Sequence, residues 1–167
     1  RISYIGKKMD QLPILPVAGF VICCRSNSYF YLQRMSLNQD KKNIAIVVNP
    51  LAGSGRGVEL AKKIISLLLL HGLTPRLFID NWPAHFNGFT DLWIVGGDGT
   101  LHYFINHYPD IQLPLVIFPG GSGNDFHWML YGNKSLEELI EIALTANPRK
   151  IDAGRCNGRL FLNGTGV

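Results

Sequence analysis

Three glycine-rich loops, each directly after a short apolar run, constrain the fold of this chain more than any other feature. We define them as the first loop (residues 49–57), the second loop (96–100) and the third loop (119–126). A short apolar run that ends in such a loop is typical of a strand buried on both faces of a parallel sheet. The loops after parallel strands lie along the carboxyl edge of the sheet, where ligands bind. The sequence therefore predicts an α/β fold in which the three loops share one edge.

Apolar spacing predicts the elements around these loops. Continuous apolar runs predict strands, and a repeat of 3.6 residues predicts helices. The predicted strands are 43–48, 75–79, 91–95 and 113–118, and the predicted helices are 58–71, 101–107 and one that ends near residue 146. The last helix opens with a capping box formed by Ser135 and Glu138. We therefore expect a mostly parallel sheet with flanking helices.

The end of the sequence changes character. Residues 149–156 and 159–163, joined by Asn157-Gly158, predict a β-hairpin with a tight primed turn. We expect residues 41–148 to form the α/β domain, and residues 149–167 to begin a second, β-rich domain. Because an apolar strand runs almost to the last residue, we expect most of that second domain to be missing from this chain. Residues 1–40 are a leader or extension with no assigned role.

Charge and cysteine content exclude several classes of protein. The net charge of the chain is +4, and residues 1–34 carry all of it, so the rest is neutral and a basic surface for nucleic acid is not expected. Cys23 and Cys24 are adjacent and Cys156 is distant. This spacing favours neither a disulfide framework nor a zinc site. A reducing, cytoplasmic setting is therefore expected. The apolar run 12–24 is broken by prolines and is shorter than the roughly 20 residues that span a bilayer.

The first loop has more glycines than a turn requires. Its arginine and the start of the following helix both favour an anion, although the Walker A pattern is absent. The candidate nucleotide-binding residues here are Asn49, Pro50, Gly53, Ser54, Gly55 and Arg56. Asp80 ends the next predicted strand, where a dinucleotide-binding fold places a ribose-binding acid. A ligand-free turn, and a dinucleotide site, both remain open at this point.

The second loop combines glycines that can bind phosphate with an acid and a hydroxyl that can take part in a reaction. Glycines allow the backbone to approach a ligand closely, and consecutive amides form an anion nest. Asp98 at the mouth of the sheet can hold magnesium on a nucleotide or accept a proton from a hydroxyl. The candidate residues are Gly96, Gly97, Asp98, Gly99 and Thr100. Thr100 can cap the helix or bond a phosphate oxygen. The alternative for Asp98 is a helix N-cap, although Thr100 can cap the helix in its place.

The third loop supplies a further cradle, with polar side chains beside its glycines. The candidate nucleotide-binding residues are Gly121, Ser122, Gly123 and Asn124, and the alternative is a polar turn. The histidines at 85, 102, 107 and 127 have no metal-ligand spacing. We interpret them as surface or pocket-lining residues.

In this order, the three loops resemble the diacylglycerol kinase catalytic domain family. The segments that carry the resemblance are Asn49-Pro50 with Gly53-Ser54-Gly55, then Gly96-Gly97-Asp98-Gly99-Thr100, then Gly120-Gly121-Ser122-Gly123-Asn124-Asp125-Phe126. That family includes sphingosine kinases and bacterial lipid kinases, and is related more distantly to NAD kinases and phosphofructokinases. The resemblance implies an NAD kinase/phosphofructokinase-like α/β domain followed by a β-sandwich domain.

The resemblance also implies a site. ATP would lie with its phosphates over the second loop, and Asp98 would deprotonate a lipid hydroxyl. The residues that would contact the nucleotide or its magnesium are Asn49, Gly53, Gly97, Asp98, Gly99, Thr100 and Ser122. The sequence departs from the family pattern where His102-Tyr103 replace asparagine and glutamate, where Gly120 and Ser122 replace leucine and threonine, and where His127-Trp128 replace alanine and arginine.

We therefore expect the nucleotide-binding domain of an ATP- and magnesium-dependent lipid kinase. Its substrate would be a diacylglycerol- or sphingoid-like lipid at a membrane surface, reached by a cytoplasmic protein that associates peripherally with the membrane. We expect weak ATP or ADP binding and little phosphotransfer by this chain alone, and homodimer formation is left open. The alternatives are an NAD kinase-like or dinucleotide-binding enzyme, and a non-catalytic nucleotide-binding module.

Overall fold

The computed structural model describes residues 19–23 and 42–162. The strands are β1 (Phe20–Cys23), β2 (Ile44–Val48), β3 (Arg76–Ile79), β4 (Asp91–Gly96), β5 (Leu115–Pro119), β6 (Arg149–Asp152), β7 (Gly154–Cys156) and β8 (Arg159–Phe161). The helices are α1 (Arg56–Leu70), α2 (Asp98–His107), α3 (Asp125–Tyr131) and α4 (Leu136–Thr145). The leader interpretation lies outside the described residues except at 19–23, and so does the end of the chain after 162.

A six-stranded sheet forms the centre of the described part, in the order β3-β2-β4-β5-β1-β6. The strands β3, β2, β4 and β5 are parallel to one another, as the apolar runs predict. Every residue of β2 and β4 is buried, which explains why both runs are apolar without alternation. The predicted α/β class with a mostly parallel sheet is confirmed.

The helices α1, α2 and α3 pack against this sheet, and α4 packs against α1. Helix α1 buries Ala61, Ile64 and Leu68, and it packs beside α4. Helix α2 packs beside α3 and buries an aromatic ring, Phe104, in the core. Within the described residues, no helix has the length and apolar content needed to cross a membrane.

The hairpin differs from its prediction in one strand. The turn Asn157-Gly158 has positive φ at both positions, 48° and 81°, as the primed turn requires. However, β6 does not belong to the hairpin but pairs in parallel with β1 in the main sheet. Only β7 and β8 form the hairpin, and β8 packs on α2. The proposed domain limits at 40 and 148 stay a prediction.

Helix α3 was not delimited by sequence reasoning. Its seven residues begin directly after the third loop and carry no capping bond from their own N-cap, Asn124. The stabilising cap comes instead from Asp98 in the second loop, which lies 27 residues away along the chain. Local sequence does not reveal such a cap, because the two partners meet only in the folded protein.

Candidate functional site

The three loops meet at the carboxyl edge of the parallel strands, where the third loop packs against both of the others. A methyl group on Gly121 would overlap the backbone of Gly97, and one on Gly53 would overlap the carbonyl of Gly120. Glycine is therefore required at these positions because one backbone packs directly on another. Most of the loop glycines are thus needed for close packing between the loops, and they are not exposed to a ligand.

Side chains tie the first loop to the second. The Asn49 amide nitrogen donates to the Thr100 hydroxyl over 3.3 Å, and the Asn49 amide oxygen accepts from the Leu51 amide over 3.0 Å.

Arg56 donates from Nε to the Gly53 carbonyl over 2.9 Å and remains exposed. Ser54 is exposed and has a positive φ of 58°. Pro50 is half-buried beside them. The first loop is thus held against the second, with the Arg56 side chain reaching solvent.

Asp98 joins the second loop to helix α3. Its two carboxylate oxygens accept the amides of Asp125 and Phe126, each over 2.9 Å. Its own amide donates to the Gly123 carbonyl over 3.1 Å. Asp98 is therefore a cap, but for α3 rather than for its own helix α2, whose N-cap is Gly97. Each carboxylate oxygen has a second acceptor position, so the side chain can still receive a proton or coordinate a cation.

Thr100 does not cap α2, so the first of the two roles considered for this residue is excluded. It is 5% exposed and lies inside the first turn, where its hydroxyl accepts from Asn49. Gly99, by contrast, is exposed, and a methyl group there would meet no atom within 4 Å. Gly96 and Gly97 are both buried. Of the second-loop glycines, Gly99 alone faces open space.

The third loop is closed by its own asparagine. The Asn124 side chain accepts from the Gly121 amide over 3.1 Å and donates to the Gly121 carbonyl over 2.9 Å. Asn124 therefore shapes the loop, and its polar atoms are already engaged. Ser122 and Gly123 are exposed, and the Ser122 hydroxyl has no partner among the described residues. Ser122 is thus the free side-chain donor in this loop.

His127 is buried, so its interpretation as a surface or pocket-lining residue is wrong. It is 2% exposed, and Nδ1 lies 2.9 Å from the Ile117 carbonyl. Burial lowers the pKa of the imidazole, and the bond to Ile117 and the charge of Asp98 oppose that shift only in part. Burial also raises the pKa of the neighbouring Tyr131 hydroxyl, which makes no well-formed hydrogen bond within the described part of the chain. The inner face of α3 is therefore uncharged beside Asp98.

Of the three helices that begin at this edge, α1 and α2 lack side-chain caps, whereas α3 is capped by Asp98. The N-caps of α1 and α2 are Gly55 and Gly97, and neither provides a capping hydrogen bond. Helix α4 does not follow one of the three loops directly, and it has a complete capping box on Ser135. The first amides of a helix have no partner within the helix, and together with the helix dipole they favour an anion. The edge therefore presents two uncapped helix starts.

A cavity of about 300 Å³ opens beside this edge, and we call it the edge cavity. Its lining residues are Val48, Asn49, Pro50, Asp80, Trp82, Tyr103 and His107. Asp80 is exposed and has a φ of 61°. Sequence reasoning placed Asp80 at this edge and interpreted His107 as a surface or pocket-lining residue, which the structure confirms. It missed Trp82. His107 lies four residues after Tyr103, which places both side chains on one face of α2.

The carboxylate of Asp98 fits a magnesium ion that also binds phosphate oxygens, and not a metal site formed by protein ligands alone. Among residues 19–23 and 42–162, no group of three or more His, Cys, Asp or Glu side chains could hold a metal ion. Magnesium is usually bound through one or two carboxylates together with phosphate oxygens and water. Asp98, with acceptor positions to spare, fits that pattern.

Comparisons with known proteins agree with one another. The family model described as diacylglycerol kinase catalytic domain matches residues 43–156. A Staphylococcus aureus (strain MSSA476) protein named "Putative lipid kinase" is 37% identical over 78 residues, which are 46% of this chain and 26% of that protein. A Staphylococcus haemolyticus (strain JCSC1435) protein of the same description is 33% identical over 78 residues, 46% of this chain and 25% of that protein.

Solved structures share the fold. A structure titled as a diacylglycerol kinase from Bacillus anthracis str. Sterne has a TM-score of 0.60 and 24% identity, and the match covers 75% of this chain and 47% of that one. A second structure from the same organism has a TM-score of 0.61 and 24% identity, with coverage of 75% and 49%. The match thus spans about a quarter of the curated relatives and about half of the solved chains.

Proposed function

Because the chain belongs to the diacylglycerol kinase catalytic domain family, we propose that it is the ATP-binding part of a lipid kinase. The reaction is transfer of the terminal phosphate of ATP to the hydroxyl group of a diacylglycerol- or sphingoid-like lipid. A cytoplasmic protein that reaches its substrate at a membrane surface fits this reaction. Homodimer formation is not required by it.

Gly99 is the observation that carries this proposal. It lies in the first turn of α2, is exposed, and has no neighbour that a side chain would disturb. Glycine inside a helix costs about 1 kcal/mol relative to alanine, and no internal contact of Gly99 offsets that cost. A phosphate that approaches the backbone closely at the start of α2 explains both the glycine and the absence of a side-chain cap.

The nucleotide would lie across the three loops. The amides at the starts of α1 and α2 favour its phosphates, and Arg56 adds a positive charge that reaches solvent. Gly53, Gly55, Ser54 and Ser122 line the same edge. Asn49, Gly97, Gly121 and Asn124 hold the loops together, so their contribution is to position the backbone that binds phosphate. Asn49 and Pro50 also line the edge cavity.

Asp98 is the group for the chemical step. A bond forms between the lipid oxygen and the terminal phosphorus, the bond from that phosphorus to the ADP oxygen breaks, and the hydroxyl proton passes to the Asp98 carboxylate. Magnesium, when bound, supplies positive charge to the phosphates, and Asp98 would hold it. The amides of Asp125 and Phe126 fix the orientation of the carboxylate for either role.

Phosphotransfer from ATP to a panel of lipid alcohols tests this function, with Asp98→Asn as the key variant. We expect ADP to bind the wild-type chain more tightly than NAD, and transfer by the chain alone to be weak. Asp98→Asn should lower transfer by about 10²–10⁴-fold because the proton acceptor is lost, while ADP affinity changes much less. Asp110→Asn, an exposed carboxylate before β5, is the matched control and should transfer like wild type.

Two results would contradict the proposal. One is a wild-type chain that binds neither ATP nor ADP in calorimetry. The other is an Asp98→Asn variant that transfers phosphate at the wild-type rate with circular dichroism unchanged.

A further inference from the structure

Two large apolar side chains are exposed on helix α3, shortly after it leaves the third loop. Trp128 is 47% exposed and Met129 is 48% exposed. Together with Asp125 they occupy positions i, i+3 and i+4 of the helix, so the three side chains share one face. The opposite face is buried through Phe126 and Tyr131. Helix α3 is thus anchored on one side and presents an indole and a thioether to solvent on the other.

The Trp128 indole suits a boundary between water and an apolar phase. Its ring meets the ring of the buried His127 edge-on, with centroids 4.9 Å apart and an interplanar angle of 82°. Its Nε1 group donates to no acceptor within residues 19–23 and 42–162. A half-exposed indole with a free N–H group is typical of membrane–water interfaces, where the ring contacts lipid and the N–H group stays hydrated. The family pattern has arginine at this position, so the exposed aromatic ring is a feature of this chain.

This face lies next to the proposed reaction centre. The Asp98 carboxylate accepts the amides of Asp125 and Phe126, each over 2.9 Å. A rise of 1.5 Å per residue places Trp128 about 4.5 Å along the helix axis from Asp125. The hydroxyl of a diacylglycerol- or sphingoid-like lipid lies at the membrane surface, because it is the polar end of an apolar molecule. A bilayer that contacts Trp128 therefore brings such a hydroxyl towards Asp98.

Exposed apolar side chains are concentrated at the same edge of the sheet. Within the described part of the chain, the large ones are Leu51, Leu69, Leu70, Ile79, Tyr103, Trp128 and Met129. Leu69 and Leu70 lie at the far end of α1, whereas the other five lie at the carboxyl edge or within two turns of it. The apolar surface thus coincides with the edge that carries the proposed site.

The size of the α3 face favours a bilayer over a protein partner. Half of a tryptophan and half of a methionine expose roughly 200 Å² together, since a whole aromatic side chain presents about 150–250 Å². A stable protein interface takes about 800 Å² from each partner. A bilayer requires no complementary shape, and its attraction grows with each apolar group that enters it. Asp125 and Lys134, at opposite ends of the face, have opposite charges, so the contact does not depend on anionic headgroups.

We propose that the exposed face of α3, formed by Trp128 and Met129, docks the protein on the surface of a lipid bilayer. This inference rests on the proposed function, because a lipid substrate is what gives the contact its use. Docking turns the carboxyl edge towards the membrane, so that a lipid hydroxyl at the bilayer surface can reach Asp98. The contact is shallow and reversible, since two half-exposed side chains remove little apolar area from water.

Sedimentation with phosphatidylcholine vesicles tests this contact. Zwitterionic vesicles are used because the net charge of +4, all of it in residues 1–34, attracts an anionic surface independently of α3. We titrate the vesicles into the 167-residue chain and into its Trp128→Ala and Trp128→Phe variants. Trp128→Ala should weaken partition into the vesicles about fourfold to tenfold, because half of a large apolar side chain no longer enters the bilayer.

Tryptophan fluorescence identifies the residue that enters the bilayer. Vesicles should shift the emission of the wild-type chain to shorter wavelength, because the Trp128 ring leaves water. Trp128→Phe should keep most of the partition, since phenylalanine is also apolar, but it should lose this shift. A shift of wild-type size in Trp128→Phe would contradict the proposal, because another tryptophan would then be the one that meets the lipid.

Leu70→Ala is the matched control, because Leu70 is a large exposed side chain at the far end of α1. It should partition like wild type, and all variants should bind ADP like wild type. The docking face is overturned if Trp128→Ala partitions like wild type, if Leu70→Ala weakens partition equally, or if the wild-type chain does not bind the vesicles. Self-association that Trp128→Ala abolishes, without vesicle binding, overturns it in favour of a second copy of the chain. Vesicle binding through Trp128 by a chain that binds neither ATP nor ADP overturns the proposed function alone.

Discussion

At the scale of single residues, glycine has two different tasks at this edge. Gly121 has no room for a side chain because the backbone of Gly97 lies against it. Gly99 has open space around it and adopts ordinary helical geometry. Both positions are glycine in the sequence. Only the contacts in the structure show that one glycine is required by packing and that the other leaves space for a ligand.

This difference predicts opposite effects for the same substitution. Gly99→Ala should raise the free energy of unfolding by about 0.5–1 kcal/mol, because alanine favours the helix. It should also weaken ADP binding by roughly tenfold or more, since the methyl group displaces a phosphate from its hydrogen bonds. Gly121→Ala should instead lower the free energy of unfolding by about 1–3 kcal/mol through overpacking.

Urea unfolding and ADP calorimetry on both variants check this prediction. A Gly99→Ala protein that is more stable and still binds ADP like wild type would show that nothing approaches this position closely.

At the scale of elements, α3 depends on groups outside itself. Asp98 caps its start, and the buried His127 anchors its inner face to the Ile117 carbonyl of β5. Neighbouring α4 carries its complete cap in its own sequence, at Ser135 and Glu138. This contrast explains why the start of α4 could be predicted from sequence, whereas the limits of α3 could not.

The burial of His127 predicts a pH dependence of stability. Its pKa in the folded protein is below the ordinary 6.5. As pH falls through 6.5, the unfolded chain takes up a proton that the folded protein does not, so the free energy of unfolding decreases. This stability is fully present above pH 6.5 and is lost progressively as pH falls towards the folded pKa.

Urea midpoints between pH 7.5 and pH 5.5 measure this effect. The His127→Gln variant, which can still donate to Ile117, should lose less stability over this interval than wild type. His102→Gln, at an exposed position on α2, should keep the wild-type dependence. Equal pH dependence in all three proteins would contradict the prediction.

At the scale of the whole molecule, the parallel strands bring three distant loops to one edge. The first loop holds the second through Asn49 and Thr100, and the second holds the third through Asp98 and the α3 amides. Ligand binding should therefore slow amide hydrogen exchange at this edge and not uniformly over the fold. Helix α4, which carries its own cap, serves as an internal reference.

Hydrogen exchange with and without ADP checks this expectation. Amides in the first turns of α1 and α2 should exchange more slowly when ADP is bound, because they are uncapped in the free protein. The first turn of α4 should change little. Protection of α4 equal to that of α1 and α2 would indicate a general stabilisation, without a localised site.

The sequence alone determined the class of fold and the edge of the sheet at which the candidate site lies. Continuous apolar runs identify strands buried on both faces, and glycine loops identify where those strands end, since both signals depend on local chemistry. The capping box of α4 and the turn at Asn157-Gly158 are local in the same sense. For this reason the predictions for these elements agree with the structure.

Only the tertiary structure decided what each residue of the edge does. Asp98 caps a helix 27 residues away, and Thr100 is buried under Asn49. Residues 149–152 joined β1 in the main sheet instead of the hairpin. The physical reason is that these outcomes depend on partners distant in sequence, and so does the use of each glycine. Local pattern fixes which residues face the core, but contacts between loops exist only once the sheet has aligned the ends of its strands.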